Sequence, residues 1–362
     1  MQMARVQQFL DKLKEKHIEQ FVMLNPKNIT YVTDFTGDAA ALLATPTKLA
    51  LITDGRFTEQ AKREMPKEVA IYRWQKGLLT DTIKLINESG IDSVVFEADQ
   101  LTYEQGRKFV DGISADVIPM TGLVEQMRWV KEPGELDNIK KAVRVADETF
   151  LYILGEIHAG MSEMEVSAKM EYFMKTHGGE GTSFDTIVAS GIRSTFAHGE
   201  ASHKIIEAGD ILTIDFGALV NGYPSDMTRT IAIGNVDPKL EKAYYQVLAA
   251  EQAGIDAITA GMTSRELDGI IRDVFKKDGV EQYFIHGAGH NIGLDIHEGP
   301  YITSRPGEGD IVFKANMLET IEPGLYFPGL GGIRIEDDVL ITSGKSEVLT
   351  TAPRRDLIKI PA

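Results

Sequence analysis

Two pairs of carboxylates and a run of histidines carry the chemistry that this sequence spells out. Asp215 lies in the apolar run Ile211-Leu-Thr-Ile-Asp-Phe-Gly-Ala-Leu-Val220, and Asp226 opens the next one, Ser225-Asp-Met-Thr-Arg-Thr-Ile-Ala-Ile233. Asn221-Gly222 stands between them, the strongest short hairpin signal, so folding there brings Asp215 within about two positions of Asp226. Glu322 and Glu336 repeat the arrangement. Their midpoint is Gly329, inside the turn-rich Phe327-Pro-Gly-Leu-Gly-Gly332, so the two are expected to face each other across a second hairpin. An unpaired carboxylate in an apolar strand costs several kcal/mol. Arginine could cap each pair, since Arg229 and Arg334 are near in sequence, but two pairs at matching places point to metal.

Histidine usage supports that reading. Three of the eight histidines, His286, His290 and His297, fall inside one glycine-spaced segment, Ile285-His-Gly-Ala-Gly-His-Asn-Ile-Gly-Leu-Asp-Ile-His-Glu-Gly-Pro300. Glycine opposes a helix there and permits the close backbone approach of a site lining. Four carboxylates with one imidazole could hold two divalent ions, and oxygen-rich ligation of that kind suits manganese, cobalt or iron(II), with zinc possible. A water bridging two such ions loses its proton near neutral pH and becomes a nucleophile, while one ion polarises a carbonyl. His198, His286 and His297 would then bind substrate, steady an oxyanion or move protons.

The elements that must position these groups form two parts. Residues 1–129 alternate between helical and extended patterns: Val6–Lys16, Thr80–Glu88 and Tyr103–Asp111 have helical spacing, and Phe21–Leu24, Ala50–Thr53, Val94–Glu97 and Val117–Pro119 read as strands. Such alternation implies an α/β domain. Lys131-Glu-Pro-Gly134 then precedes a long helical pattern, and residues 130–362 form the second domain. That domain carries an internal repeat. Ala159-Gly-Met-Ser162-x-x-Glu165 returns as Ala260-Gly-Met-Thr263-x-x-Glu266. Each copy is a capping box at the head of a helix, so two related helix–helix–strand–strand halves are expected, packed with pseudo-symmetry.

Composition narrows the function. The 362 residues carry 38 basic and 54 acidic side chains, a net charge of −16 that disfavours nucleic acid as a partner. The apolar runs are too short and too polar for a membrane span, and the first residues do not read as a signal peptide. The chain has no cysteine, which excludes disulfides, thiolate metal sites and a cysteine nucleophile, and fits the cytoplasm. Phosphate-loop, nucleophile-elbow, His-Glu-x-x-His and dinucleotide fingerprints do not occur.

At the site residues the sequence resembles the pita-bread metallopeptidases of the Xaa-Pro branch, the prolidases (Xaa-Pro dipeptidases) and aminopeptidases P. The matching stretches are Phe196-Ala-His198-Gly, Asp215-Phe-Gly-Ala, Ser225-Asp226-x-Thr-Arg-Thr230, His286-Gly-x-Gly-His290, Gly293-Leu-x-x-His297-Glu, Thr320-Ile-Glu322-Pro-Gly and Gly332-Ile-Arg334-Ile-Glu336-Asp. Thr53-Asp-Gly-Arg-Phe-Thr-Glu-Gln-Ala61 is similar to the creatinase-type domain that precedes this catalytic domain. The resemblance implies an α/β (α+β) chain in which a creatinase-like domain, shaping substrate access and dimerisation, precedes a pseudo-symmetric pita-bread domain. It makes Asp215, Asp226, His290, Glu322 and Glu336 the metal ligands, with Asp226 and Glu336 bridging both ions. His198, His286 and His297 match substrate-binding and transition-state histidines, and Arg334 a supporting arginine. It also implies manganese or cobalt as activator and a homodimer. Asn291, Asn316 and Glu319 depart from the family's pattern, which would place glycine, glycine and an apolar residue there.

The function this implies is hydrolysis of the bond between an N-terminal residue and a following proline, in small peptides, away from nucleic acid and membrane. Proline makes that bond a tertiary amide without an N–H, which calls for a dedicated pocket. Two alternatives share the fold: a methionine-aminopeptidase-like enzyme, disfavoured by the extra N-terminal domain, and a non-catalytic peptide-binding module, disfavoured by the intact ligand set.

Overall fold

The alternating patterns of the first part assemble into a six-stranded sheet in the order Ala70–Arg73, Lys48–Thr53, Ala40–Thr45, Phe21–Met23, Ser93–Glu97, Asp116–Met120. The computed structural model describes residues 2–362. Pairing is antiparallel among the three strands from Phe21 to Thr53 and parallel on either flank, where helices supply the crossovers. Val22, Ile52, Val94 and Phe96 pack with Ile86 and Phe109 of the helices Leu78–Ser89 and Tyr103–Gly112. Two strands, Ala40–Thr45 and Ala70–Arg73, and the helix Pro26–Thr33 add to the expected elements. The helix has a readable start, for Asn25 accepts from Lys27 N at 2.8 Å and Pro26 takes the first turn.

The chain divides into two compact units, one ending at Arg128 and one running Trp129–Ala362. In the second, the 101-residue repeat is visible bond by bond. The helices Pro133–Leu154 and Glu163–Thr176 correspond to Pro238–Ala257 and Ser264–Lys277. Both capping boxes form, on Ser162 with Glu165 and on Thr263 with Glu266. Ahead of them Gly160 (φ 98°) and Gly261 (φ 95°) take the left-handed turn that only glycine enters freely. Gly160 N donates to Ile206 O and Gly261 N to Phe313 O, each at 2.9 Å, and the return bonds to Met161 O and Met262 O are both 2.8 Å. Each half wraps its helix pair over its own apolar cluster, one including Phe150, Met170, Ile214 and Ile231, the other Val247, Leu267, Ile321 and Val339. No helix among the described residues is long and apolar enough to cross a membrane.

Candidate active site

Strand parity brings the four carboxylates together. Ile211–Phe216 pairs antiparallel with Met227–Ile233, with Asp215 opposite Thr228, so Asp226, two residues before Thr228, shares the face of Asp215. The intervening turn has Asn221 at φ 50° and Gly222 at φ 75°, the backbone of a two-residue hairpin loop of the type that matches strand twist. In the second half Leu318–Ile321 pairs with Asp337–Leu340, and Gly324–Phe327 with Gly331–Arg334. Ile321 opposes Asp337 and Gly324 opposes Arg334, so a single register runs through both ladders and sets Glu322 against Glu336 in the interval between them. The halves are stitched together next to the carboxylates. Glu336 N donates to Thr228 O at 3.2 Å, and Thr230 Oγ1 donates to Arg334 O at 2.8 Å.

His290 arrives on the three-residue strand Gly289–Asn291. A Cβ at Gly289 would lie 2.0 Å from Thr320 O, so glycine is what lets this strand approach so closely. His290 N donates to Thr320 Oγ1 at 3.1 Å, and the ring Nδ1 lies 3.2 Å from Asn291 O. That leaves Nε2 facing the carboxylates, 3.6 Å from Asp226 Oδ2 and 3.8 Å from Glu322 Oε1. These separations exceed a hydrogen bond and suit donors gathered about a common cation, each at roughly 2.0–2.2 Å from it. One ligand atom each from Asp226, His290 and Glu336 falls within a 4.8 Å cluster.

The electrostatics say what such a cluster lacks. Burial and the neighbouring Glu336 push Asp226 well above the usual carboxylate range; burial and Glu322 do the same to Glu336. Glu322 is pushed up to about 8 by burial, against the pull of Arg334. Burial lowers His290 to about 3, which keeps the ring neutral and its lone pair available. Asp215 Oδ1 and Asp226 Oδ1 are buried without a hydrogen-bond partner. Among the described residues one arginine, Arg334, is the only side-chain cation in direct contact with the four, through Asp215 Oδ2 at 2.6 Å. Arg229 is committed elsewhere, with Nη2 2.7 Å from Asp337 Oδ1 and both Nε and Nη2 donating to Ala352 O. Arginine capping therefore accounts for one carboxylate and leaves the rest. The orphaned oxygens, the neutral imidazole and the excess negative charge all fit divalent cations.

The group opens onto a cavity of about 560 Å³ that all nine predicted site residues line. Phe184, Ile187, Tyr301 and Ile302 give it an apolar wall. His198 reaches it from the loop after the short helix Gly191–Thr195, with an exposed ring. The His297 ring packs edge-on against that of His290, centroids 4.5 Å apart, and partial burial lowers its pKa. His286 is held differently. Its Nδ1 lies 2.7 Å from Gly287 O and its Nε2 2.9 Å from Tyr326 Oη, so both ring nitrogens are engaged. Burial and the nearby Arg334 hold it at about 4.

Three residues of this site escaped the sequence reading. Tyr326 Oη accepts from Arg334 Nη1 at 2.7 Å while bonded to His286, and so couples the arginine to the histidine. Thr228 Oγ1 donates to Glu336 Oε2 at 2.7 Å and accepts from Arg334 Nε at 3.1 Å. Asp338 Oδ2 accepts from Asp226 N at 3.2 Å. The signal for all three is parity: each stands an even number of positions from a ligand candidate on the same strand or hairpin arm. Of the three departures from the family's pattern, Asn316 takes the left-handed conformation (φ 69°) that asparagine tolerates. Asn291 does not take that conformation; it lies opposite Glu319, just after a register shift between His290 and Asn291 in the pairing with Glu298–Ile302.

Comparison with known proteins agrees with this layout. The profile of metallopeptidase family M24 matches residues 137–343, and that of the creatinase/prolidase N-terminal domain matches residues 5–130. The Xaa-Pro dipeptidase of Pyrococcus furiosus is 35% identical over 355 residues, 97% of this chain and 98% of the relative. Among solved structures, an Xaa-Pro dipeptidase from Bacillus anthracis superposes with a TM-score of 0.94 at 40% identity, covering 99% of this chain and 100% of the other. An X-Pro aminopeptidase from Thermotoga maritima gives 0.90 at 34% identity, with 98% and 99% covered.

Proposed function

The chain belongs to metallopeptidase family M24, and we propose that it is a metal-dependent exopeptidase that cleaves the bond between an N-terminal residue and a following proline. The observation that carries the reading is the set of three buried carboxylates, half-buried Glu322 and one neutral histidine beside a cavity of about 560 Å³, with two carboxylate oxygens left without partners. Asp215, Asp226, His290, Glu322 and Glu336 would hold two divalent ions, manganese or cobalt ahead of zinc or iron(II). Bound there, the ions would supply a nucleophile from water at neutral pH and polarise the scissile carbonyl.

The protein's own groups do the rest. Arg334, fixed by Asp215, Thr228 and Tyr326, sets the orientation of the Asp215 carboxylate and offsets part of the site's negative charge. Thr228 orients Glu336 in the same way. His198 and His297 stand at the cavity wall with exposed rings, where they can donate to a developing oxyanion or pass a proton to the leaving prolyl nitrogen. That nitrogen has no hydrogen before cleavage, so proton delivery is essential to its departure. His286 stays neutral and acts through the Tyr326 hydroxyl. The apolar wall accepts the pyrrolidine ring. We read the chain further as a cytoplasmic homodimer, which cell fractionation and light scattering would check.

The test is a hydrolysis assay of metal-stripped protein supplied with Mn²⁺, Co²⁺, Zn²⁺ or nothing, on Ala-Pro, Ala-Pro-Ala and Ala-Ala. Cleavage of Ala-Pro alone assigns a dipeptidase, and cleavage of Ala-Pro-Ala an aminopeptidase. Turnover of Ala-Ala in preference to both proline peptides would overturn the specificity.

A further inference from the structure

Behind His290 lies a chain of buried polar groups that the chemistry above does not use. Asn291 stands directly opposite Glu319, and theirs is the single paired position between the strands Gly289–Asn291 and Leu318–Ile321. Asn291 Nδ2 donates to Glu319 Oε1 at 2.8 Å. On its other side Asn291 Oδ1 accepts from Lys131 Nζ. Lys131 Nζ also reaches Trp129 O at 3.3 Å and lies 3.8 Å from Glu298 Oε2. Asn291 and Glu319 are both fully buried, and Lys131 is 2% exposed. The second oxygen of Glu319 has no hydrogen-bond partner.

Buried ionic groups of this kind are poor stabilisers, and apolar residues of similar volume often serve stability as well or better. Stability alone therefore does not explain them. What they touch does. The carbonyl of Asn291 faces His290 Nδ1 and sets which ring nitrogen is left for a cation. Thr320, next to Glu319, accepts from His290 N, and Glu322 follows two residues later. Backbone bonds hold the two strands on either side of this pair, Glu322 N donating to Ala288 O at 2.9 Å and Ile292 N to Leu318 O at 3.1 Å. The side-chain clamp lies between those bonds, beside His290, and ties both strands to Lys131.

We propose that the Lys131–Asn291–Glu319 chain is a positioning device that locks the strand bearing His290 onto the strand leading to Glu322, and so sets the site's affinity for divalent cations. It rests on the metal reading given above. Asn291 and Glu319 work as a pair: either one alone leaves the other's buried polar group without its partner, whereas removing both takes the two groups away together and leaves Lys131 Nζ to Trp129 O and Glu298.

The probe is Co²⁺ binding to metal-stripped protein, followed by the visible absorption of the bound ion and by isothermal titration, with no substrate present. Wild type, Glu319→Gln, Glu319→Val, Asn291→Gly and the double variant Asn291→Gly/Glu319→Val are compared. Glu319→Val and Asn291→Gly should each weaken Co²⁺ binding by about 10- to 100-fold, the scale of groups that orient a metal ligand. Glu319→Gln keeps the accepting oxygen and should stay within about threefold of wild type. The double variant should bind better than the product of the two single losses, since the cycle measures their coupling. If Glu319→Val does not fold, Asn291→Gly removes the same bond from the other side and decides alone. Single variants that bind Co²⁺ like wild type, strictly additive losses, or a folded Glu319→Gln that loses more than tenfold would each overturn the positioning role. Wild type that fails to bind Co²⁺ at all would instead overturn the metal reading beneath it.

Discussion

Tyr326→Phe removes one oxygen atom and nothing else, yet that oxygen joins the supporting arginine to the buried histidine. The hydroxyl accepts from Arg334 Nη1 at 2.7 Å and bonds His286 Nε2 at 2.9 Å. In the variant Arg334 keeps Asp215 and Thr228, but Nη1 faces a phenyl edge in a site where the arginine is 3% exposed. A buried charged donor left unsatisfied costs about 1–3 kcal/mol, and the lost bond to His286 about 1 more. The expected destabilisation is therefore about 2–4 kcal/mol. In a unit the size of Trp129–Ala362, each kcal/mol lowers Tm by roughly 2–4 °C. A calorimetric scan should then show Tm lower by roughly 5–15 °C. Freed on one side, Arg334 also holds Asp215 less rigidly. If about 1.4–2.7 kcal/mol of that looseness is felt in the transition state, kcat on Ala-Pro falls about 10- to 100-fold with metal content retained. A folded Tyr326→Phe protein with Tm within a degree or so of wild type and kcat within about twofold would refute the coupling.

Other outcomes follow from the same geometry. His198→Ala should retain metal, because His198 is exposed on the cavity wall and outside the ligand cluster, and should lose at least about 10²-fold in kcat as a proton donor. Gly289→Ala drives a methyl to 2.0 Å from Thr320 O, so the strand bearing His290 must move; weaker Co²⁺ binding and a lower Tm are expected, read by titration and calorimetry. His286 is held at about 4, below its ordinary 6.5, so the unfolded chain binds more protons between those values. Its contribution to stability is present above about 6.5 and is lost as pH falls through about 4, at most about 3 kcal/mol. His286→Gln should flatten that part of the Tm-versus-pH curve; a curve parallel to wild type would contradict the assignment.

Much of the site was legible because hairpins obey arithmetic. Asn221-Gly222 and Gly329 mark the two turns, and counting outward from them pairs the carboxylates correctly. The repeat was legible because the same capping box had to begin both second helices. Arg229 shows where counting stops. Its strand position beside Asp215 and Asp226 suggested a cap for them, but its long side chain runs out of that face to Asp337 and Ala352. Tyr326 was hidden for another reason. A lone hydroxyl in a strand carries no motif, and only the third dimension brings it to Arg334. Thr228 lies inside the matching stretch Ser225-Asp226-x-Thr-Arg-Thr230, but the stretch does not say that its hydroxyl joins Arg334 to Glu336. Asn291 and Glu319 were visible separately as departures from the family's pattern. Their pairing was not, because it depends on a register between strands that lie 28 positions apart with no hairpin turn to count from. In the first unit, Ala40–Thr45 and Ala70–Arg73 were missed because sheet pairing, rather than strong local alternation, defines them.

The most direct test counts the metal. Wild-type protein and Glu336→Ala would be stripped, reconstituted with Co²⁺, freed of excess ion, and analysed for cobalt per chain alongside Ala-Pro hydrolysis. Two ions per chain with activity in the wild type, and loss of both metal and turnover in Glu336→Ala, are the predicted result. A metal-free Glu336→Ala protein that still cleaves Ala-Pro would contradict it.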